Sequence, residues 1–169
     1  MSDKRPALIQ PHVHPLPDHR PLRDAFGCFA TGVTIVTSFD RDGNPVGFTA
    51  NSFTSVSLDP PMLLVCPGRN IRSLPAIRHS GLFGVSVLSA GQRGVADCFA
   101  SRREDRFGEG EWVESESGLL LLEGACANFA CTLVQDVDAG DHQVLIGRID
   151  SFRSAENRHP LMFVRGGYL

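Results

Sequence analysis

No apolar stretch in this sequence approaches the roughly 20 residues that a membrane-crossing helix needs, so the chain is expected to be soluble, with no membrane partner. It also lacks an excess of one charge. At a formal net charge of -3, with acids and bases interspersed, there is no basic stripe of the kind that neutralises many phosphates, which argues against nucleic acid as a partner. Whole classes of chemistry are missing their signatures. No Gly-x-Gly-x-x-Gly follows a strand, so a Rossmann dinucleotide site is excluded. A Gly-x-Ser-x-Gly elbow, a His-Glu-x-x-His pair, a phosphate-binding Gly-x-x-x-x-Gly-Lys loop and a Cys-x-x-Cys motif are absent too, which removes hydrolase, zinc protease and kinase readings. The five cysteines are odd in number and scattered, and no apolar signal peptide precedes them; they read as reduced thiols in a cytoplasmic protein. Cys126 and Cys131 are spaced to fall on opposite faces of a strand, so no metal site is expected from them.

What is present fits one domain with a real core: 169 residues, 42% of them hydrophobic. Residues 1–20, with Pro6, Pro11, Pro15 and Pro17 among His12, His14 and His19, form a tail that cannot hold regular structure, either disordered or wrapped round a second subunit. The domain is expected over 21–169. Leu22, Ala25, Phe26, Phe29 and Ala30 are spaced as one face of a short helix that begins at Pro21 and stops before Gly32. Val33 to Phe39 is rich in β-branched residues and is followed by the turn signal Asp40-Arg41-Asp42-Gly43-Asn44, which predicts an antiparallel hairpin with a strand starting near Pro45. Further strands are predicted over Met62–Cys66, Leu82–Leu88, Ala125–Val137 and His142–Phe152, with a short helix or turn over Ile71–Arg78 and a helix over Gln92–Ala100. The charged segment Ser101–Arg106 reads as a surface loop. Many strands, few short helices and hairpin-length turns predict a mainly β, antiparallel barrel-like fold.

Between two apolar runs lies Gly47-Phe48-Thr49-Ala50-Asn51-Ser52-Phe53-Thr54-Ser55-Val56-Ser57-Leu58-Asp59-Pro60-Pro61. Its polar side chains do not alternate as in a half-buried strand and it carries little charge, which suggests a surface for a polar ligand such as a phosphate or a heteroaromatic ring. This run, with Leu22-Arg23-Asp24-Ala25-Phe26, Thr31-Gly32-Val33-Thr34, Asp105-Arg106-Phe107 and Gly140-Asp141-His142, closely resembles the short-chain flavin reductase family. Members of that family are the reductase components of two-component flavin-dependent monooxygenases, built on an FMN-binding split β-barrel. The resemblance covers Pro21 to the end.

It implies a homodimer whose flavin lies in a cleft between subunits, with NADH or NADPH as hydride donor to FMN or FAD. Cofactor contacts are implied for Thr31, Thr49, Ala50, Asn51, Ser52, Ser55, Val56, Ser57, Cys66 and Phe99. Neutral hydroxyls, an amide and backbone groups suit flavin carbonyls and ring nitrogens without burying a charge. Arg72 and Ser73, after Pro67-Gly68-Arg69-Asn70, are implied for the flavin phosphate, although Ile71 and Pro75 depart from the family's Ser/Thr-rich pattern. Arg106 and Phe107 would close over the flavin or shape the dimer cleft. His142 would lie beside the nicotinamide and flavin rings, positioning the dinucleotide or stabilising charge on the reduced ring. The reduced flavin would pass to a separate monooxygenase. Alternatives are an FMN-binding split-barrel protein with little reductase activity, such as a flavin carrier or a pyridoxamine-phosphate-oxidase-like protein, and a non-catalytic dimeric interaction module.

Overall fold

The structure is a computed structural model that describes residues 18–169; the tail up to Pro17, with His12 and His14, lies outside the described residues. Helix α1 (Arg20–Gly27) leads into a two-residue strand β1 (Thr31–Gly32). Strand β2 (Thr34–Phe39) pairs antiparallel with β3 (Pro45–Ala50), in register from Thr34 opposite Ala50 to Phe39 opposite Pro45. The turn between them is held by Asp40, whose Oδ1 accepts the N–H groups of Asp42 and Asn44 at 2.9 Å each. Strands β4 (Thr54–Leu58) and β5 (Pro61–Val65) form a second hairpin, and helix α2 (Leu74–Ser80) ends at Gly81, whose left-handed φ of 68° turns the chain into β6 (Leu82–Val87). A 3-10 turn (Ala90–Gln92) runs into α3 (Arg93–Ala100), and a small hairpin follows, β7 (Trp112–Glu114) with β8 (Leu120–Leu122). The longest strands, β9 (Ala127–Ala139) and β10 (His142–Ser154), are joined at Gly140-Asp141. The chain closes on β11 (Met162–Val164) and β12 (Gly167–Tyr168), which form a three-stranded sheet with β1.

Seven strands make one antiparallel sheet in the order β3-β2-β6-β9-β10-β5-β4. Strands β3 and β4 remain its two ends, so the sheet does not close on itself, as suits a split barrel. Apolar residues cover both of its faces. Successive strand residues point to opposite faces, and accordingly Ile35 joins a core with Val33, Leu88, Phe99, Leu122 and Leu161, while its neighbour Val36 joins one with Phe48, Leu63, Phe83, Leu145 and Ile77. Strand β2 is therefore buried nearly throughout.

Several elements differ from expectation. Helix α1 stops at Gly27 instead of Ala30, because the Gly27 carbonyl accepts the N–H of Arg165 at 2.7 Å and is turned toward the β11–β12 hairpin. No residue of α1 is buried, so its apolar spacing does not mark a core face of this chain. The helix expected over Gln92–Ala100 starts as a 3-10 turn, where Ser89 and Gln92 form a reciprocal capping box. Cys126 precedes β9 and its Sγ faces the carbonyls of Leu88 and Arg158, whereas Cys131 is buried in the core that holds Val36. Among the described residues no helix is long and apolar enough to cross a membrane.

Candidate functional site

Three segments far apart in sequence are tied together by short bonds. The Ser52 hydroxyl accepts the N–H of Cys66 at 2.9 Å and reaches the Cys66 carbonyl at 3.3 Å, which joins the β3–β4 connection to the end of β5. Beyond Cys66, Gly68 bridges to His142, the Pro67 carbonyl accepts the N–H of Gln143 at 2.9 Å, and the Arg69 N–H donates to the Asp141 carbonyl at 3.0 Å. The β9–β10 turn is thereby fixed against the loop after β5. His142 is half exposed, and its Nδ1 lies 2.7 Å from Asp141 Oδ1, which leaves Nε2 as the free ring nitrogen. The His142 hydrogen bond and charge hold the Asp141 carboxyl below its usual range.

Thr31, Asn51 and His142 meet on the wall of one cleft of about 750 Å³. The same cleft is lined by Arg23 and Phe26 of α1, by Phe29 just beyond its end, and by Phe163, Arg165 and Gly166 of the β11–β12 hairpin. The Thr31 Oγ1 is shielded from solvent and has no hydrogen-bond partner among the described residues. A buried hydroxyl without a partner is unfavourable unless a ligand or water meets it.

A second surface, about 360 Å³, is lined by Asn70, Ile71, Arg72, Arg102 and Arg106. It brings the Pro67–Ser73 stretch next to the Asp105-Arg106-Phe107 segment and has three guanidinium groups with no carboxylate in its lining. Such a groove suits a phosphate.

Several expected ligand groups instead make internal bonds. Thr49 Oγ1 donates to the Ala96 carbonyl of α3 at 2.7 Å. Ser73 is 3% exposed and its Oγ donates to the Gly47 carbonyl at 3.2 Å. Arg106 donates from Nη1 to that same carbonyl at 3.0 Å, from Nη2 to Ser101 at 2.8 Å and from Nε to Arg103 at 2.9 Å. Its guanidinium closes the Ser101–Arg106 loop onto β3 and keeps fewer donors for a ligand. Phe99, only 2% exposed, packs in the core that holds Ile35, with Phe107 at 5.0 Å and Trp112 at 5.4 Å between ring centroids. Phe99 lies behind Gly47, where a Cβ would meet its ring, and Phe107 packs edge-on against Phe99 at the margin of the same core. Burial pushes the Cys66 thiol above its ordinary value, which keeps it neutral.

Ala50 is buried at the end of β3, and Asn51 is exposed beyond it. Ser55, Val56 and Ser57 lie on β4, an edge of the sheet, where the register slips between Ser55 and Ser57 and leaves Val56 as the bulged residue. A bulge on an edge strand leaves backbone N–H and C=O groups without ladder partners, which suits them to a ligand or to another chain.

A family model described as "Flavin reductase like domain" matches residues 26–169. The chain belongs to this family. Flavin reductase like domains similar to this one include the reductase component of the flavin-dependent trigonelline monooxygenase of Acinetobacter baylyi, 46% identical over 149 residues, 88% of this chain and 48% of that protein. Subunit HsaB, the reductase subunit of a flavin-dependent monooxygenase of Rhodococcus jostii, is 44% identical over 151 residues, 89% of this chain and 77% of that one. The chain thus spans about half the length of the first of these relatives and most of the second. Among solved structures, the NADH:FAD oxidoreductase SgcE6 of Streptomyces globisporus, in complex with NAD and FAD fragments, matches with a TM-score of 0.85 at 38% identity, covering 92% of this chain and 96% of that one.

Within this flavin reductase like domain, sequence reasoning missed Arg102, Asn70, Arg23 and the β11–β12 hairpin as site walls. The hairpin had a legible signal in Arg165-Gly166-Gly167, a turn sequence between two aromatic residues, Phe163 and Tyr168. Arg102 is one of several arginines in a charged segment, and nothing local separates it from Arg103.

Proposed function

We propose that this chain is an NAD(P)H-dependent flavin reductase that passes a hydride from NADH or NADPH to FMN or FAD, and that the reduced flavin goes to a separate flavin-dependent monooxygenase. The observation that carries the reading is the meeting of Thr31, Asn51 and His142 on one cleft, in a chain of the flavin reductase like family. Its relatives being reductase components of monooxygenases supports the partner.

The residues fit a flavin. An unpartnered Thr31 hydroxyl, the Asn51 amide and the free backbone of a bulged edge strand are neutral donors and acceptors, and the arginine groove suits a phosphate. A bound flavin supplies the ring that accepts the hydride; the protein's part is orientation and electrostatics. In this reading Ala50, Asn51, Ser55, Val56 and Ser57 hold the ring edge and the chain leading to its phosphate. Arg72 and Arg102 take the phosphate. Ser52, Thr49, Ser73 and Arg106 act one step back, by fixing the backbone that does the holding. Asp141 clamps Nδ1 of His142, so Nε2 is presented in one orientation and holds or accepts a proton beside the nicotinamide.

The same reading includes a homodimer. Phe26 and Phe29 at α1 are 70% and 78% exposed and Leu58 on β4 is 94% exposed, apolar surface that a second copy would cover. Five free thiols suit a reducing compartment such as the cytoplasm. The test is a steady-state assay of purified protein with NADH or NADPH, with and without added FMN or FAD, followed by loss of the reduced-nicotinamide absorbance. Flavin-dependent loss is expected, and the four pairings rank the substrates. No oxidation with any pairing would overturn the reading.

A further inference from the structure

The cleft beside His142 carries more positive charge than neutral ring contacts require. Helix α1 contributes Arg20 and Arg23 and the β11–β12 turn contributes Arg165, against one carboxylate, Asp24. Arg20 is already paired with Asp18 at 3.0 Å. Among the described residues, no carboxylate lies within ion-pair distance of Arg23 or Arg165.

Arg165 also stands where the backbone favours another residue. Its φ is 49°, and it is the only non-glycine residue with positive φ among the described residues. Gly166 follows at 79°, so both central residues of this two-residue hairpin turn are left-handed, the conformation that Asn-Gly or Gly-Gly adopts with least strain. The backbone task at this position is the N–H donated to Gly27, which does not require arginine. A glycine would fold there more easily. What glycine would not supply is the guanidinium on the cleft wall.

We propose that Arg165, with Arg23 on the neighbouring helix, recognises a phosphate of the nicotinamide dinucleotide, separately from the groove of Arg72 and Arg102 that takes the flavin phosphate. The inference rests on the reductase reading above. It gives each of the two phosphate-bearing ligands its own cationic surface, so the donor dinucleotide binds and leaves without disturbing the flavin phosphate. Guanidinium groups suit the task because their paired N–H donors match phosphate oxygens. Both dinucleotides carry the pyrophosphate and only NADPH carries the 2′-phosphate, and the test separates these.

The test uses Arg165→Gly and Arg165→Lys in the full-length protein. Arg165→Gly relieves the left-handed strain and keeps the N–H to Gly27, so its thermal midpoint should equal or exceed that of the wild type. Its KM for the dinucleotide should rise about tenfold or more, the scale of one charge-assisted hydrogen bond, with kcat changing far less and KM for flavin unmoved. Calorimetric titration with NAD and NADP should show the same weakening, and Arg165→Lys should recover part of it. A larger loss for NADP would assign the contact to the 2′-phosphate, an equal loss to the pyrophosphate. Unchanged KM and Kd for both dinucleotides in Arg165→Gly, or a rise in the flavin KM instead, would overturn the proposal. A wild-type protein that neither oxidises nor binds either dinucleotide would remove the reductase reading itself.

Discussion

Gly147, in the middle of β10, stands where a side chain does not fit: a Cβ there would run into the buried ring of Phe83 and lie 2.9 Å from Cys131 Cβ. Gly147→Ala should therefore destabilise the fold by about 1–3 kcal/mol, as overpacking of a dense core does. The check is a lower denaturant midpoint at unchanged slope; an unaltered midpoint would mean the core yields at no cost. Titration supplies a second prediction at this scale. Asp141 is held below its ordinary value of 3.8 chiefly by the hydrogen bond from His142, and Asp138 likewise by Gln143 and by the Arg69 charge. A carboxylate with a lowered folded-state pKa adds stability that is present above the unfolded value and is lost as pH falls through the folded one. The difference in denaturant midpoint between wild type and Asp141→Asn should thus hold steady from neutral pH down to mildly acidic pH and shrink below the ordinary carboxylate range. A difference that grew on acidification would contradict the sign. Sequence made the chemistry of individual residues legible but not their commitments. Thr49, Ser52, Ser73 and Arg106 look equally available as ligand groups in the sequence, and only the fold shows them bonded to Ala96, Cys66 and Gly47.

At the scale of elements, α1 is the informative case. Its periodic apolar face is plain in the sequence, yet it buries none of its residues within this chain. Periodicity reports that a face is apolar and not what covers it. In the homodimer proposed above, replacing Phe26 and Phe29 with serine should leave the circular dichroism of the folded chain intact and yield a monomer in sedimentation velocity where the wild type sediments as a dimer; a monomeric wild type would remove the proposed dimer. A variant that remains dimeric would remove α1 from the interface. Strand β4 was hidden for a related reason. Four of its five residues are exposed, so no inward and outward alternation survives to mark an edge strand whose regular pairing is broken by a bulge. The β11–β12 hairpin is too short for periodicity, and its importance comes from distant contacts: Gly27 with Arg165, and Arg93 stacked 5.1 Å from the centre of the Tyr168 ring. Strands β2, β6, β9 and β10 were readable because their apolar content is forced by burial in the middle of the sheet.

Across the whole molecule, the open seven-stranded sheet holds two connections and the loop after β5 in fixed register, and helix α1 and the terminal hairpin line the cleft beside them. In the proposed hydride transfer the arrangement would orient the ligands, with a histidine and arginines where charge has to be met. Hydride transfer between two bound rings requires no protein nucleophile. The most direct measurement is anaerobic rapid mixing of the protein and an equal concentration of flavin with NADH or NADPH, following the yellow flavin band and the reduced-nicotinamide band together. The account predicts that both fade with one time course, far faster than in the same mixture without protein; equal rates with and without the protein would contradict it.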